Sequence, residues 1–245
     1  MALTVWAVQG REGEAMVARP FGIGMVDMTV DFDRPLTGVI SAVLQSCLSS
    51  AEGTSWTGAD LAEWTIPRQR QGLLAVAVAT NGARRVFETA CGECGEKLDV
   101  EVDLTMFRQD WSVEETGFGG ARLRLPRAGD LARSGGDPVA LADLLLEGEA
   151  PGGDWREEAE EVLAELDPLS DVELRSTCPD CGADVGMPLS LEMELVTELA
   201  REPQRLMDEI HMIAMAYNWS EREIISLPDS RRRHYLERIR EAWAA

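Results

Sequence analysis

Apolar residues recur along this chain with two different periods, and the switches between them outline its elements. In "RPLTGVISAVLQSCLSS" (34–50), Leu36, Val39, Ile40, Val43, Leu44 and Cys47 fall three or four apart, the spacing of one helix face. Pro35 is acceptable in the first turn, where a missing N–H costs no hydrogen bond. "TGADLAEWTIPRQRQGLLAVAVATNG" (57–82) predicts a short helix, a break at Ile66-Pro67, and a second helix stopping near Asn81-Gly82. From there the period drops to two. "RRVFETA" and "KLDVEVDL" predict strands on either side of a cysteine pair, with Leu98, Val100, Val102 and Leu104 alternating with charged residues. "LTVWAVQ" and "GMVDMTVDF", within residues 1–33, also read as extended segments or strands.

Residues 120–177 hold a strand and two or more helices. "DPVALADLLL" starts with Asp137 as cap and Pro138 at the first helical position. "DWREEAEEVLAELDPLSD" puts Trp155, Ala159, Val162, Leu163 and Leu166 on one face and ends before Pro168. "DVELRST" is a strand entering a second cysteine pair. Beyond it, "LSLEMELVTELAREPQRLMDEIHMIAMAYNW" is helical in period with a break at Pro203. Ser220 and Glu223 form a capping box that starts a new helix after Trp219, and a last helix begins near Pro228. The pattern divides the chain into an N-terminal extended segment (1–33), a first helical half with a cysteine knuckle (34–110), a helical insertion (111–177), and a second knuckle with C-terminal helices (178–245).

Charge narrows the function. Acidic side chains number 44 against 23 basic ones, for a net charge of −21 over 245 residues. Such a surface repels phosphate backbones, so nucleic-acid binding through a broad basic face is not expected. The N-terminal residues lack the basic start and apolar block of a signal peptide, and no apolar run is long enough to span a membrane. A cytoplasmic protein is expected.

The chemistry lies in "CGECGEKLDVEVDL" (91–104) and "CPDCGADVGMPLSL" (178–191), which share two cysteines two residues apart, a glycine, and a strand-like run. A Cys-x-x-Cys-Gly turn supplies two thiolates from one tight knuckle, and two knuckles complete a tetrahedral four-thiolate site. Cys91, Cys94, Cys178 and Cys181 are therefore the candidate ligands of one structural zinc ion in a zinc ribbon. Ribbon halves tolerate a long insertion because closure entropy grows only logarithmically. A redox pair, two disulfides and a catalytic zinc fit the pattern less well, and spacing alone does not separate zinc from iron held by the same thiolates. Cys47 reads as a buried small hydrophobe. His211 and His234 read as structural, and no catalytic constellation is recognisable, so no enzymatic activity is expected.

The fold expectation is mainly α with a small β zinc ribbon, an α+β chain of two related halves joined through one four-cysteine site. "WTIPRQRQGLLAVA" (64–77) and "ISLPDSRRRHYLERI" (225–239) extend the likeness beyond the cysteines. Their arginines, Arg68, Arg70, Arg231, Arg232 and Arg233, are candidates for a docking face against an acidic partner, with Trp219 and Tyr235 beside the second group. A regulatory zinc-ribbon adaptor touching nucleic acid through Arg231, Arg232 and Arg233 is the alternative.

"LMDEIHMIAMAYNWSEREIISLPDSRRRHYLERI" (206–239) resembles the C-terminal part of the baseplate hub assembly family of T-even-like contractile phage tails and their relatives in phage-like contractile injection systems. Larger proteins of this kind look similar over 57–104 and 120–191, through "IPRQRQGLL", "CGECGEKLDVEVDL", "LRLPRAGDLA", "LDPLSDVEL" and "CPDCG". The resemblance implies a baseplate component or tail-assembly factor without catalysis. Its implied partners are baseplate, spike, hub or tube proteins, and its implied location is the cytoplasm or the assembled particle.

Overall fold

The computed structural model describes residues 4–6 and 15–244, and within them the protein is a mixed α+β chain of helices and small antiparallel sheets. Strands β1 (Thr4–Trp6) and β2 (Met16–Ala18) pair antiparallel, and β2 pairs in turn with β3 (Leu48–Ser50), which directly follows α1 (Leu36–Cys47). The helical period of α1 buries Val39, Ile40, Val43, Leu44 and Cys47 as expected. The alternation of "GMVDMTVDF" does not become a strand. It holds a 3-10 turn at Asp27–Thr29, because the Asp27 carboxylate accepts two bonds from Arg19 (2.6 and 2.9 Å) and two more from the N–H groups of Ile23 and Gly24. Four donors converging on one buried carboxylate require a compact loop. The remainder of "LTVWAVQ" lies outside the described residues.

Helices α2 (Gly58–Ala62) and α3 (Ile66–Asn81) meet at the Ile66-Pro67 break, with Pro67 in the first turn of α3. Central position explains α3: residues Leu73 through Ala77 are wholly buried, so the helix carries no polar face there. Its buried polar residues serve backbone groups. Gln69 donates to the Leu61 carbonyl (2.6 Å), and Gln71 donates to the Phe107 carbonyl (2.9 Å). At Gly72 a Cβ would stand 2.8 Å from Leu48 Cδ1, so glycine lets α1 and β3 pack closely on α3.

Two hairpins rise from this core: β4 (Arg84–Ala90) with β5 (Lys97–Asp103), and, far along the chain, β9 (Val172–Thr177) with β10 (Asp184–Leu189). Between them lies a module with its own core of Phe118, Leu123, Leu145, Trp155 and Ala159. It contains β6 (Glu115–Phe118), β7 (Ala121–Arg124), α4 (Ala128–Ser134), α5 (Pro138–Leu145), β8 (Leu146–Glu147) and α6 (Trp155–Leu166). The insertion is thus not purely helical. A three-stranded sheet forms because Gly119 and Gly120 take φ of 55° and 90°, the left-handed values that a two-residue hairpin turn needs. Asp137 caps α5 by accepting from the Val139 N–H (2.9 Å).

After β10 come α7 (Leu191–Leu199), α8 (Glu202–Tyr217), α9 (Glu221–Ile225) and α10 (Asp229–Ala244). The helical run breaks at Ala200 and Arg201, and Pro203 sits in the first turn of α8. That placement follows from proline's missing N–H, which costs nothing at a helix start. The capping box forms as expected, with the Ser220 N–H donating to Glu223 Oε2 (2.8 Å). Leu206, Ile210, Ile213, Ile224, Leu236 and Ile239 form a separate apolar cluster, against which Met28 also packs.

The insertion is anchored where β7 leads into α4. The buried Asp130 carboxylate accepts from Arg124 (2.6 and 3.1 Å), from the Arg127 N–H (2.9 Å) and from Arg133. Burial alone would raise its pKa. Hydrogen bonds from Arg124 and Arg127, with the charges of Arg124 and Arg133, outweigh burial and hold it at about 2 against an ordinary 3.8. A carboxylate held low stabilises the fold above its unfolded value of 3.8, and that contribution fades as pH falls toward about 2. Asp130→Asn is expected to lower the melting temperature near neutral pH and to flatten its further fall across that acid window. An acid profile unchanged by the substitution, followed by circular dichroism, would count against the anchor.

Candidate metal centre

The two knuckles are built alike from the backbone upward. In the first, the Cys91 N–H donates to the Glu96 carbonyl (2.8 Å) and the Gly95 N–H to the Cys91 carbonyl (2.9 Å). In the second, the Cys178 N–H donates to Ala183 (2.8 Å) and the Gly182 N–H to Cys178 (3.0 Å). Gly95 and Gly182 have φ of 77° and 74°, which is why a glycine follows each pair. Leu98 and Val185 occupy equivalent places, opposite Thr89 and Ser176, and pack with the buried Cys91 and Cys178 in one small apolar cluster. The outer cysteines, Cys94 and Cys181, are exposed.

The four sulfurs converge. Cys91 Sγ lies 3.6 Å from Cys181 Sγ, and Cys94 Sγ lies 3.6 Å from Cys178 Sγ, so both close pairs cross between hairpins. All four lie within 4.8 Å of one another. A tetrahedral ion with sulfur at about 2.3 Å requires sulfur–sulfur edges of about 3.8 Å. The geometry fits a metal ion held by Cys91, Cys94, Cys178 and Cys181. The Cys91 thiol is held down at about 7, chiefly by hydrogen bonds from the backbone of Cys94 and Glu93. A backbone hydrogen bond from Glu96 favours the Cys94 thiolate, but hydrogen bonding with the Cys181 and Cys178 sulfurs outweighs it and pushes the thiol up to about 12.

Ion pairs set the hairpin bases. Arg70 on α3 is 3% exposed and reaches Asp167, just past α6, and Glu192 at the start of α7, each at 2.5 Å. Burial disfavours its charge, but the two carboxylates more than compensate and its pKa is raised. Arg85 on β4 pairs with Glu198 on α7 (2.6 Å), and Asn81 at the end of α3 donates to the same Glu198 (2.5 Å). These contacts join the segment before the first knuckle to the segments on both sides of the second.

The proposed docking residues divide. Arg70 and Arg232 are interior, not surface, groups. Arg232 is 1% exposed, donates to the Leu227 carbonyl (3.0 Å) and pairs with Glu209 on α8 (3.3 Å). The reason is helical phase: Arg232, Leu236 and Ile239 share the stripe of α10 that faces the C-terminal cluster. That spacing was readable in the sequence. Arg68 stacks over the Trp64 ring at 4.1 Å, Arg233 pairs with Asp229, and Arg231 is exposed. Trp219 and Tyr235 form a half-buried cluster with Tyr217, at ring separations of 5.0 to 5.3 Å. Cys47 is buried within α1, and its thiol is pushed up to about 12 by that burial.

Likeness between the two cysteine regions stops at the hairpins. The Pro-Arg helix α3 precedes the first knuckle, whereas its sequence counterpart α10 follows the second, after three intervening helices.

Cys91→Ser or Cys178→Ser is expected to remove about one metal ion per chain and to lower the melting temperature, as should a strong chelator acting on the unaltered protein. Full metal content with unchanged melting would exclude these cysteines as the site. Arg70→Met is expected to cost about 3 kcal/mol in a denaturant titration, because two carboxylates lose their common partner. A loss below about 1 kcal/mol would mean that water already solvates them. In comparisons with known proteins, the chain matches no family model, no curated protein and no solved structure.

Proposed function

We propose that this protein is a non-enzymatic baseplate component or assembly factor of a contractile phage-tail-like particle, stapled by one structural zinc ion per chain. The observation that carries the reading is the double clasp on the two hairpins. Four thiols gather at their tips, Arg70 joins Asp167 and Glu192 at the base of the second, and Arg85 joins Glu198 at the base of the first. A chain clasped in this way is suited to presenting surfaces, with the insertion on one side of the clasp in sequence and the C-terminal helices on the other. Zinc is the metal of choice because four sulfur donors at tetrahedral spacing make a closed site with no open coordination position.

The baseplate assignment is supported by the resemblance of residues 206–239, which coincide with the separate C-terminal cluster of α8, α9 and α10. Within that cluster the exposed Arg231 and the rings of Trp219 and Tyr235 are the candidate contacts for a spike, hub or tube protein. The nucleic-acid adaptor reading loses support, since Arg232 is buried and Arg233 is neutralised by Asp229 in a protein of net charge −21. No helix among the described residues is long and apolar enough to cross a membrane.

Affinity capture of the tagged protein from a strain producing such particles is expected to recover baseplate, spike or tube proteins, and deletion of its gene should leave particles incomplete. Recovery of none of these, together with normal particles in the deletion strain, would refute the assignment.

A further inference from the structure

An apolar groove of about 680 Å³ lies on the insertion, within the usual size range of built binding sites. The buried Leu123, Leu145 and Ala159 floor it, and Val139, Leu141 and Leu163 stand along its walls. Val139 is 50% exposed although it faces an apolar cleft. The lining runs along α6 from Arg156 to Ala164 and on to Asp167 just past the helix end, a length of about 16 Å, or about three turns of helix. The rim is acidic. Glu157, Glu160 and Asp171 are exposed and make no ion pair among the described residues, while the one rim cation, Arg156, is already paired with Asp143 at 2.6 Å.

We infer that this groove is the docking site for an amphipathic helix of a partner protein, about three turns long, with an apolar stripe flanked by Lys or Arg. An apolar floor of that length takes side chains at helical spacing, as helix-in-groove recognition requires. Unpaired carboxylates along the rim select a cationic flank and oppose an acidic one. A second copy of this chain is disfavoured by the same charges, since its own surface is strongly acidic. The inference concerns a surface separate from the C-terminal helices and does not depend on the baseplate assignment.

The test uses the full-length protein and three fluorescent peptides of about fifteen residues: Leu and Lys in amphipathic order, the same Leu pattern with Glu, and a scrambled Leu/Lys control. The amphipathic Leu/Lys peptide is expected to bind saturably at one per chain, at least about tenfold more tightly than either control. Val139→Gln combined with Ala164→Gln changes no charge, and both positions are exposed, so folding should persist. These substitutions should weaken binding by about tenfold or more at an unchanged melting temperature. Equal binding of the scrambled peptide, or binding indifferent to the two substitutions, would overturn the inference in favour of diffuse charge attraction. A concentration-dependent dimer abolished by the same substitutions would overturn it in favour of self-association.

Discussion

A guanidinium taken out of water must be met by negative charge, and Arg70 meets two carboxylates that come from distant parts of the chain. Desolvation makes the arrangement all-or-none: with either acid missing, the remaining group is left buried and poorly compensated. Asp167 ends the insertion and stands shortly before β9, while Glu192 follows β10. Arg70 itself lies on the helix that leads into β4. Satisfying one arginine therefore brings both ends of the second hairpin against α3, while Arg85 on β4 ties the first hairpin to Glu198 on α7. Both hairpins are thus fixed to the core at the ends away from the cysteine tips.

The same logic recurs wherever arginine enters the interior. Arg232 fixes α10 to α8 through Glu209, Arg19 closes the loop around Asp27, and Arg124 seats the start of α4 through Asp130. Each of these arginines meets a carboxylate from another element or loop. The large acidic excess of the chain is thus partly structural, with the remainder spread over the surface. Carboxylates that accept several hydrogen bonds, such as Asp27 and Asp130, do more to shape loops than exposed pairs such as Arg84 with Glu101, which water and salt largely cancel.

What could be read from the sequence follows from which physical signals are local. Helical period located α1, α6 and α10, and alternation located β4, β5 and β9, because each element shows one face to the core. The capping residues Asp137 and Ser220 act within three positions of themselves and were equally legible. Cysteine spacing identified the four candidate ligands because a knuckle is a local turn. The 3-10 turn at Asp27 was hidden, since its decisive partner, Arg19, is not recognisable as such from spacing. Strand β6 leaves no sequence signal, because "ETGF" is short and acquires strand character only by pairing with β7. Arginine as a residue type points to the surface, yet Arg70 and Arg232 are spaced three or four positions from apolar residues of their helices and are buried with them. For a long side chain with a charged tip, helical phase decides burial and residue type decides only that a carboxylate must meet it.

The unequal exposure of the four cysteines has a consequence for access. Cys91 and Cys178 are sealed against Leu98 and Val185, while Cys94 and Cys181 face solvent. Any reagent approaching from outside, whether oxidant, alkylating agent or competing chelator, meets the outer two sulfurs first. Access and ionisation favour different sulfurs: the outer two are the more exposed, whereas the thiol held down is the inner Cys91. A reagent selected by reach and one selected by thiolate character would therefore enter the cluster at different sulfurs.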